Sequence, residues 1–339
     1  MLTFTEIAGT PFQVGLALGR QTAQAMHDLG ETAQWHALMQ WRSSEQSCAM
    51  QALVQERHPY IWDELQGLAR GLELPAEDVF LWNCRGDLLE TGHEGGTTIL
   101  QPGPDGPRIS HNVDGPAAFD GHCGLAELRY EPGPSCAAFI APGTLPGNAF
   151  AVTDSGLVMV ATTIHTPVQA RQSVAGLPRL VLTRALLSCN EIGQAIALLQ
   201  TGPRAGGAHI GLAHRGAATL LSVEFTHDQV SIQALDNACL HADHLVHEAL
   251  QALPQHISDS SRYRQIEGTA LLTRPDADDA LAILANRDNP DFPLYRSAAE
   301  DSLTLATADI RVSTDAVTWD VHRRPHDPPC FRMRDHRHL

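Results

Sequence analysis

Positive charge is scarce in this chain, paired cysteines are absent, and no long apolar run occurs. The 339 residues carry 23 Lys+Arg against 39 Asp+Glu, a net charge of −16 at pH 7 with His neutral. A sequence-independent nucleic-acid binder needs a basic face, so that class is excluded. The 18 His begin to offset the negative charge only near their ordinary pKa of about 6.5. The seven Cys (48, 84, 123, 136, 189, 239 and 330) are odd in number and show no CxxC spacing. They predict neither a disulfide framework nor a zinc knuckle, and they fit a reducing compartment. The opening residues lack the basic and apolar regions of a signal peptide. No apolar run approaches the roughly 20 residues of a membrane span. The expectation is a cytoplasmic protein with no membrane and no nucleic-acid partner.

What is present describes a globular protein. Hydrophobic residues make up 43% and charged residues 18%, enough for a sizeable buried core. Thr10-Pro11 offers a capping hydroxyl followed by Pro at the first helical position, and an apolar helical pattern follows to about Trp41. Ser44 caps a second helix towards His58, where Pro59 interrupts. Tyr60 to Leu72 continues helically, and Pro75 opens another helix to about Thr91. The first ninety residues are expected to be mostly helix.

The period changes at His93-Glu94-Gly95-Gly96-Thr97-Thr98-Ile99-Leu100. Two glycines followed by β-branched residues read as a tight turn feeding a strand. Strands are expected at 97–101 and 108–113 as a hairpin, then at 125–130, 136–141, 149–153 and 157–163. Two helices (177–187, 191–199) and three strands (209–214, 218–225, 229–235) follow. Helices at 260–272 and 277–286 precede strands at 304–312 and 316–321. The polar tail 323–339 is expected to be a mobile cover or frayed end. No repeat or clear linker is visible. Antiparallel strands interrupted by paired helices predict an α+β sandwich, two sheets covered by helix layers, in one domain.

Several stretches together resemble the isopenicillin N acyltransferase-like (acyl-coenzyme A:6-aminopenicillanate acyltransferase-like) family of N-terminal nucleophile hydrolases, a cysteine peptidase family. They are Gly9-Thr-Pro-Phe-Gln-Val-Gly, Glu64–Gly71 with Leu81-Trp-Asn-Cys-Arg85, and Ser110-His-Asn-Val-Asp114. Gly176-Leu-Pro-Arg-Leu-Val-Leu, Leu240-His-Ala-Asp-His244 and Asp259-Ser-Ser-Arg-Tyr-Arg continue the match in order. The resemblance implies a four-layer αββα fold made as one precursor. Residues 1–95 would be equivalent to the family's small chain, with 96–322 as the two-sheet core and 323–339 as the tail. It also implies self-cleavage before a Cys in a Gly-Cys-Thr segment, after which the new N-terminal Cys is the nucleophile. Its own α-amine, with a pKa of roughly 7.7–8, accepts the thiol proton.

Here the matching segment is Gly95-Gly96-Thr97, so the cleavage site falls at Gly95 and Gly96 and the nucleophile's position holds Gly96. Self-cleavage and ordinary acyl-enzyme chemistry are therefore not expected. Gly96 reads either as a nucleophile removed to hold the precursor uncleaved or as natural divergence. By resemblance Asp114 orients the amine, with Asn112 on the same strand face. Asp243 occupies the place of the family's oxyanion-hole Asn, flanked by His241 and His244. An ionised Asp has no N–H to offer an oxyanion, and this second departure favours divergence. His165 falls beside the acyl pocket.

Cleavage at Thr97 would give a competent N-terminal Thr, but its side chain lies on the opposite strand face; Thr98 faces correctly and is displaced by roughly 6.6 Å. The candidate catalytic positions are thus Gly96, Thr97, Asp114 and Asp243. The candidate substrate contacts are Asn112, His165, His209, His241 and His244. His209 and His214 are an odd number apart on one strand and face opposite sides. The H-x-D-H spacing of His241, Asp243 and His244 is not specific for a metal, and no metal or cofactor is expected. Cys84 and Cys239 read as inert core thiols. Asn83, Arg85 and Asp87 read as a buried polar link between the helical quarter and the sheet. The resemblance implies a small acylated amine or peptide as substrate, with an acyl thioester as a further donor; the oligomeric state is left open. The alternative is a diverged homologue that uses Asp114, Asp243 and His165 for acid–base work or binding.

Overall fold

The computed structural model describes residues 1–89, 95–167, 175–274, 279–297 and 302–339. The chain opens with a strand, β1 (Thr3–Gly9), before helices α1 (Pro11–Leu29), α2 (Ala33–Met39), α3 (Glu45–Arg57), α4 (Pro59–Leu72), α5 (Ala76–Asn83) and α6 (Arg85–Leu88). Strands β2 (Gly95–Gln101), β3 (Arg108–Pro116), β4 (Gly124–Tyr130), β5 (Ser135–Ile140), β6 (Phe150–Thr153) and β7 (Leu157–Ile164) follow. Then come α7 (Arg179–Leu186), α8 (Ile192–Gln200), β8 (Gly207–His214), β9 (Leu220–Phe225), β10 (Val230–Ala234) and β11 (Cys239–His241). The chain ends with α9 (Asp259–Leu272), α10 (Ala280–Leu284), β12 (Ser302–Val312), β13 (Val317–His322), β14 (Phe331–Arg334) and β15 (Arg337–His338).

The strands form two sheets, β1-β4-β5-β6-β7-β8-β9-β10 and β11-β2-β3-β12-β13-β14-β15. Helices α1 and α8 lie on the first sheet, while α9 and α10 cover β11 and β3 of the second. This is the expected four-layer αββα sandwich. Among the described residues no helix is long and apolar enough to cross a membrane.

Local chemistry explains the helical quarter. The Thr10 hydroxyl accepts from the Gln13 amide, and the Gln13 side chain accepts from the Thr10 N–H at 2.8 Å, a reciprocal cap on α1. Gly15 and Gly19 of α1 meet Gly67 and Gly71 of α4 so closely that a Cβ on any of the four would lie 2.0–2.4 Å from a carbonyl oxygen of the other helix. The glycine spacing in Glu64–Gly71 is therefore a helix-contact requirement. Asn83 donates to the carbonyls of Val79 and Gly143 and accepts from the Leu145 amide, tying α5 to the β5–β6 loop as expected of a polar link.

Four expectations need correction. The first segment contributes β1, which pairs in parallel with β4 (Thr3 opposite Gly124), so the first sheet is not wholly antiparallel. The pattern read as one helix to Trp41 breaks after Leu29, because the Thr32 hydroxyl caps α2 at the Trp35 amide. Cys239–His241 forms a short strand on the edge of β2. The tail is neither frayed nor a loose cover: β14 and β15 extend the second sheet, burying Phe331 and Met333. Glu127 of β4 accepts from the His338 amide at 2.5 Å and from Arg337, so the tail also binds the first sheet. The ends of the helices expected to reach Thr91 and to start at Ala277 lie outside the described residues, as do His93 and Glu94.

Candidate active site

β2 and β3 carry the region to which the sequence points. Their register sets Gly95 opposite Asp114, Gly96 opposite Val113, Thr97 opposite Asn112 and Thr98 opposite His111. Strand alternation then divides them between two faces. On the inner face, towards the first sheet, Thr98 Oγ1 and His111 Nδ1 are 2.9 Å apart. On the outer face, under α9 and α10, the Thr97 hydroxyl accepts from Arg264 at 2.8 Å. Asn112 donates to the carbonyls of Leu284 and Leu294 and accepts from Thr307, which makes it an anchor for the helix layer.

Gly96 has no room for a side chain. A Cβ there would lie 2.3 Å from the Asn112 carbonyl oxygen, 2.8 Å from His111 Cε1 and 3.1 Å from Thr162 Cγ2. The first of these is backbone in a paired strand, so relief requires the sheet itself to move. A Cβ at Gly95 would fall 2.5–2.6 Å from the carboxylate of Asp243, which fills that space.

Arg264 of α9, 2% exposed, organises the groups around this segment. It donates to the Gly96 carbonyl at 2.5 Å and pairs with Asp243, which accepts from the Gly96 N–H at 2.8 Å. The N–H and C=O of Gly96 are thus held by a carboxylate and a guanidinium that are themselves paired. Asp114 Oδ2 lies 3.9 Å from Arg264 and 4.0 Å from Arg296, and Thr304 donates to Asp114 Oδ1 at 2.7 Å. Burial raises the Asp114 pKa, against the pull of Arg296 and Arg264. Burial opposes the charge on Arg264, but Asp243 and Asp114 outweigh it and raise its pKa.

Beside Gly95, residues from both sheets and from α7 line a crevice of about 20 Å³, among them Asn148, Thr162, Thr163 and Arg179. That volume admits one water-sized group.

Residues 102–324 match the family described as acyl-coenzyme A:6-aminopenicillanic acid acyl-transferase. The chain belongs to this family. No curated protein matches the chain. The match runs from the β2–β3 loop into the segment after β13, so the β2 segment with Gly95 and Gly96 precedes it.

Among the residues suggested by the family resemblance, Gly95, Gly96, Thr97, Asp114 and Asp243 gather around Arg264. The side chains of the others turn to different partners. His241 Nε2 is 2.8 Å from Glu224 Oε1, and the His241 ring stacks on His209 with centroids 3.6 Å apart. His244 Nδ1 is 2.7 Å from Ser261 Oγ. His241, Asp243 and His244 thus turn to three different partners. Among the described residues no group of three His, Cys, Asp or Glu converges as a metal site. His165 follows β7 and is not among the residues lining the crevice; its carbonyl accepts from the His256 amide at 2.8 Å. Burial raises the Cys84 pKa well above its ordinary value and pushes Cys239 up to about 11, so both thiols stay protonated.

Arg264, Arg296, His111 and Glu224 were not singled out from sequence. For Arg264 the available pointer was its place in Asp259-Ser-Ser-Arg-Tyr-Arg. His111, inside Ser110-His-Asn-Val-Asp114, had a similar one. Arg296 and Glu224 had none.

Proposed function

We propose that this family member acts on a small acylated amine or peptide without forming an acyl-enzyme, binding it and using carboxylates in place of a nucleophile. The observation that carries this reading is the absence of space at Gly96 for any side chain, a feature of the surrounding sheet rather than of one residue. Natural divergence accounts for Gly96 and Asp243 together: the carboxylate of Asp243 fills the space beside Gly95 and binds the Gly96 amide. In this reading Asp243 partners a nitrogen, not an oxyanion. Arg264 supplies the positive charge of the site. Asp114, its pKa raised by burial, is the proton-exchanging group. Thr97 points away from the crevice side of the sheet and Thr98 is engaged by His111, so neither hydroxyl takes over. The crevice receives one terminal group of the ligand, a carbonyl oxygen or an amine nitrogen.

The test uses p-nitrophenyl acetate, an activated ester that acylates accessible nucleophiles, followed by peptide mapping. Exposed Cys48 and Cys330 provide the internal control and should be acylated. The peptide spanning Gly95–Thr98 should carry no acyl group. Acylation of Thr97 or Thr98 would overturn the non-covalent reading.

A further inference from the structure

The space between the sheets, normally apolar, holds a buried polar seam that starts beside Gly96. On the first sheet the register aligns Thr162 with His209, His209 with Glu224, and Glu224 with Ser231. On the second it aligns His241 with Thr98 and Thr98 with His111. Thr98, His111, Thr162, His209, Glu224 and His241 are each no more than 2% exposed. The rows meet where His209 and His241 stack, their planes 6° apart. From there a continuous line leads outward: His209 Nε2 to Ser222 Oγ at 3.0 Å, Ser222 Oγ to His247 Nε2 at 2.9 Å, and His247 Nδ1 to Ser231 Oγ at 3.0 Å. Ser231 is partly exposed, on the edge strand β10.

At the inner end four buried polar atoms have no hydrogen-bond partner among the described residues: His111 Nε2, Thr162 Oγ1, His209 Nδ1 and His241 Nδ1. An unpaired buried polar atom costs about 1–3 kcal/mol, so a cluster of them marks a place for bound water. Thr162 also lines the crevice beside Gly95.

We propose that His209, Ser222, His247 and Ser231 form a proton path between the crevice beside Gly95 and solvent at β10, with internal water bridging its inner end. It rests on the reading of that pocket as an acid–base site. One polarity satisfies every link. The Ser231 hydroxyl donates to His247 Nδ1, His247 Nε2–H donates to Ser222, the Ser222 hydroxyl donates to His209 Nε2, and His209 Nδ1–H faces the bridging water. In one transfer each proton moves one link inward. Ser231 is resupplied by bulk water, and the proton on His209 Nδ1 leaves to the bridging water. One proton enters and one leaves. Glu224 accepts from His241 and from the amides of Val246 and His247, and provides the negative charge beside the path. Burial lowers the pKa of both His209 and His247, so the imidazoles rest neutral and pass a proton without storing it.

The test is NMR exchange of the His209 ring N–H with water in the intact protein. The ring proton should exchange readily with water although His209 is fully buried. Ser231→Ala, at the partly exposed end, should slow it at least about tenfold while leaving the melting temperature unchanged. Ser222→Ala, inside the path, should slow it likewise. A ring proton as slow as the β8 amides, or one indifferent to Ser231→Ala, overturns the path. The measurement needs no substrate. Its failure would leave the non-covalent reading of Gly96 standing, whereas acylation of Thr97 or Thr98 would overturn that reading and remove the acid–base site that the path serves.

Discussion

Arg264→Met should destabilise the protein by about 3–5 kcal/mol near neutral pH, the cost of breaking a buried ion pair by removing one partner. The substitution keeps the approximate bulk of the side chain and removes its charge. It strips the donors from the Gly96 carbonyl and the Thr97 hydroxyl, and it leaves Asp243 and Asp114 with only part of their compensation. Arg296, 4.0 Å from Asp114, is too distant to replace a direct hydrogen bond. The loss should also depend on pH. Burial already raises the Asp114 pKa, and without the Arg264 guanidinium that carboxyl ionises still less readily, so its protonation relieves the strain. The stability gap between wild type and variant should narrow as pH falls through the carboxylate range. Urea titrations across pH measure this directly. A gap below about 1 kcal/mol, as for a surface ion pair, would show that Arg264 does not organise the site.

Mild acid should destabilise the wild-type protein strongly. Burial lowers the His111 pKa to about 3, with Asp243 offsetting it only in part, and holds His209 well below its ordinary value. Burial also lowers His244 and His247. The unfolded chain takes up these protons near pH 6.5, while the folded protein takes them up only at lower pH. Stability is therefore full above about pH 6.5 and declines as pH falls below it, by about 1.4 kcal/mol per pH unit for each such His. His111 and His209 together predict a loss of about 4 kcal/mol between about pH 7.5 and pH 5. Glu64 and Asp114 act in the opposite sense. Burial raises both pKa values, so folded carboxyls bind protons before unfolded ones and soften the loss at the acid end. Urea unfolding at the two pH values checks the sign, and equal or greater stability in acid would contradict it.

Much of the architecture was legible because its determinants are local. The change from helical to strand period at Gly95 predicted the β2–β3 hairpin, and Thr10, Ser44 and Pro59 marked real helix ends. β1 was not legible, because its partner β4 is far along the chain and Thr3–Gly9 has no turn signal linking them. The tail misled by composition. Its polar residues, with Pro and His, read as a mobile cover or frayed end, yet Phe331 and Met333 face the core.

The site divides in the same way. Gly96, Asp114 and Asp243 were candidates through the family resemblance, and alternation sent Thr97 and Thr98 to the opposite faces that they occupy. The polar seam was hidden because strand alternation identifies an inside and an outside, whereas here both faces of β8 and β9 are buried. Arg264 was hidden because nothing along α9 says which strand backbone its guanidinium reaches.

The central claim is that Gly96 belongs to a site rebuilt around the absence of a nucleophile. Gly96→Cys tests it most directly, read by intact mass and by the number of amines under denaturing conditions. The chain contains no lysine, so an uncleaved polypeptide has one amine, at its N-terminus. Because the new Cβ meets the Asn112 carbonyl and Asp243 holds the Gly96 amide, the variant should fold less stably by about 1–3 kcal/mol. It should also remain one chain of the 36.7 kDa type with one reactive amine. Two fragments divided between residues 95 and 96, with a second amine on the introduced cysteine, would contradict the account. They would mean that only the nucleophile had been missing.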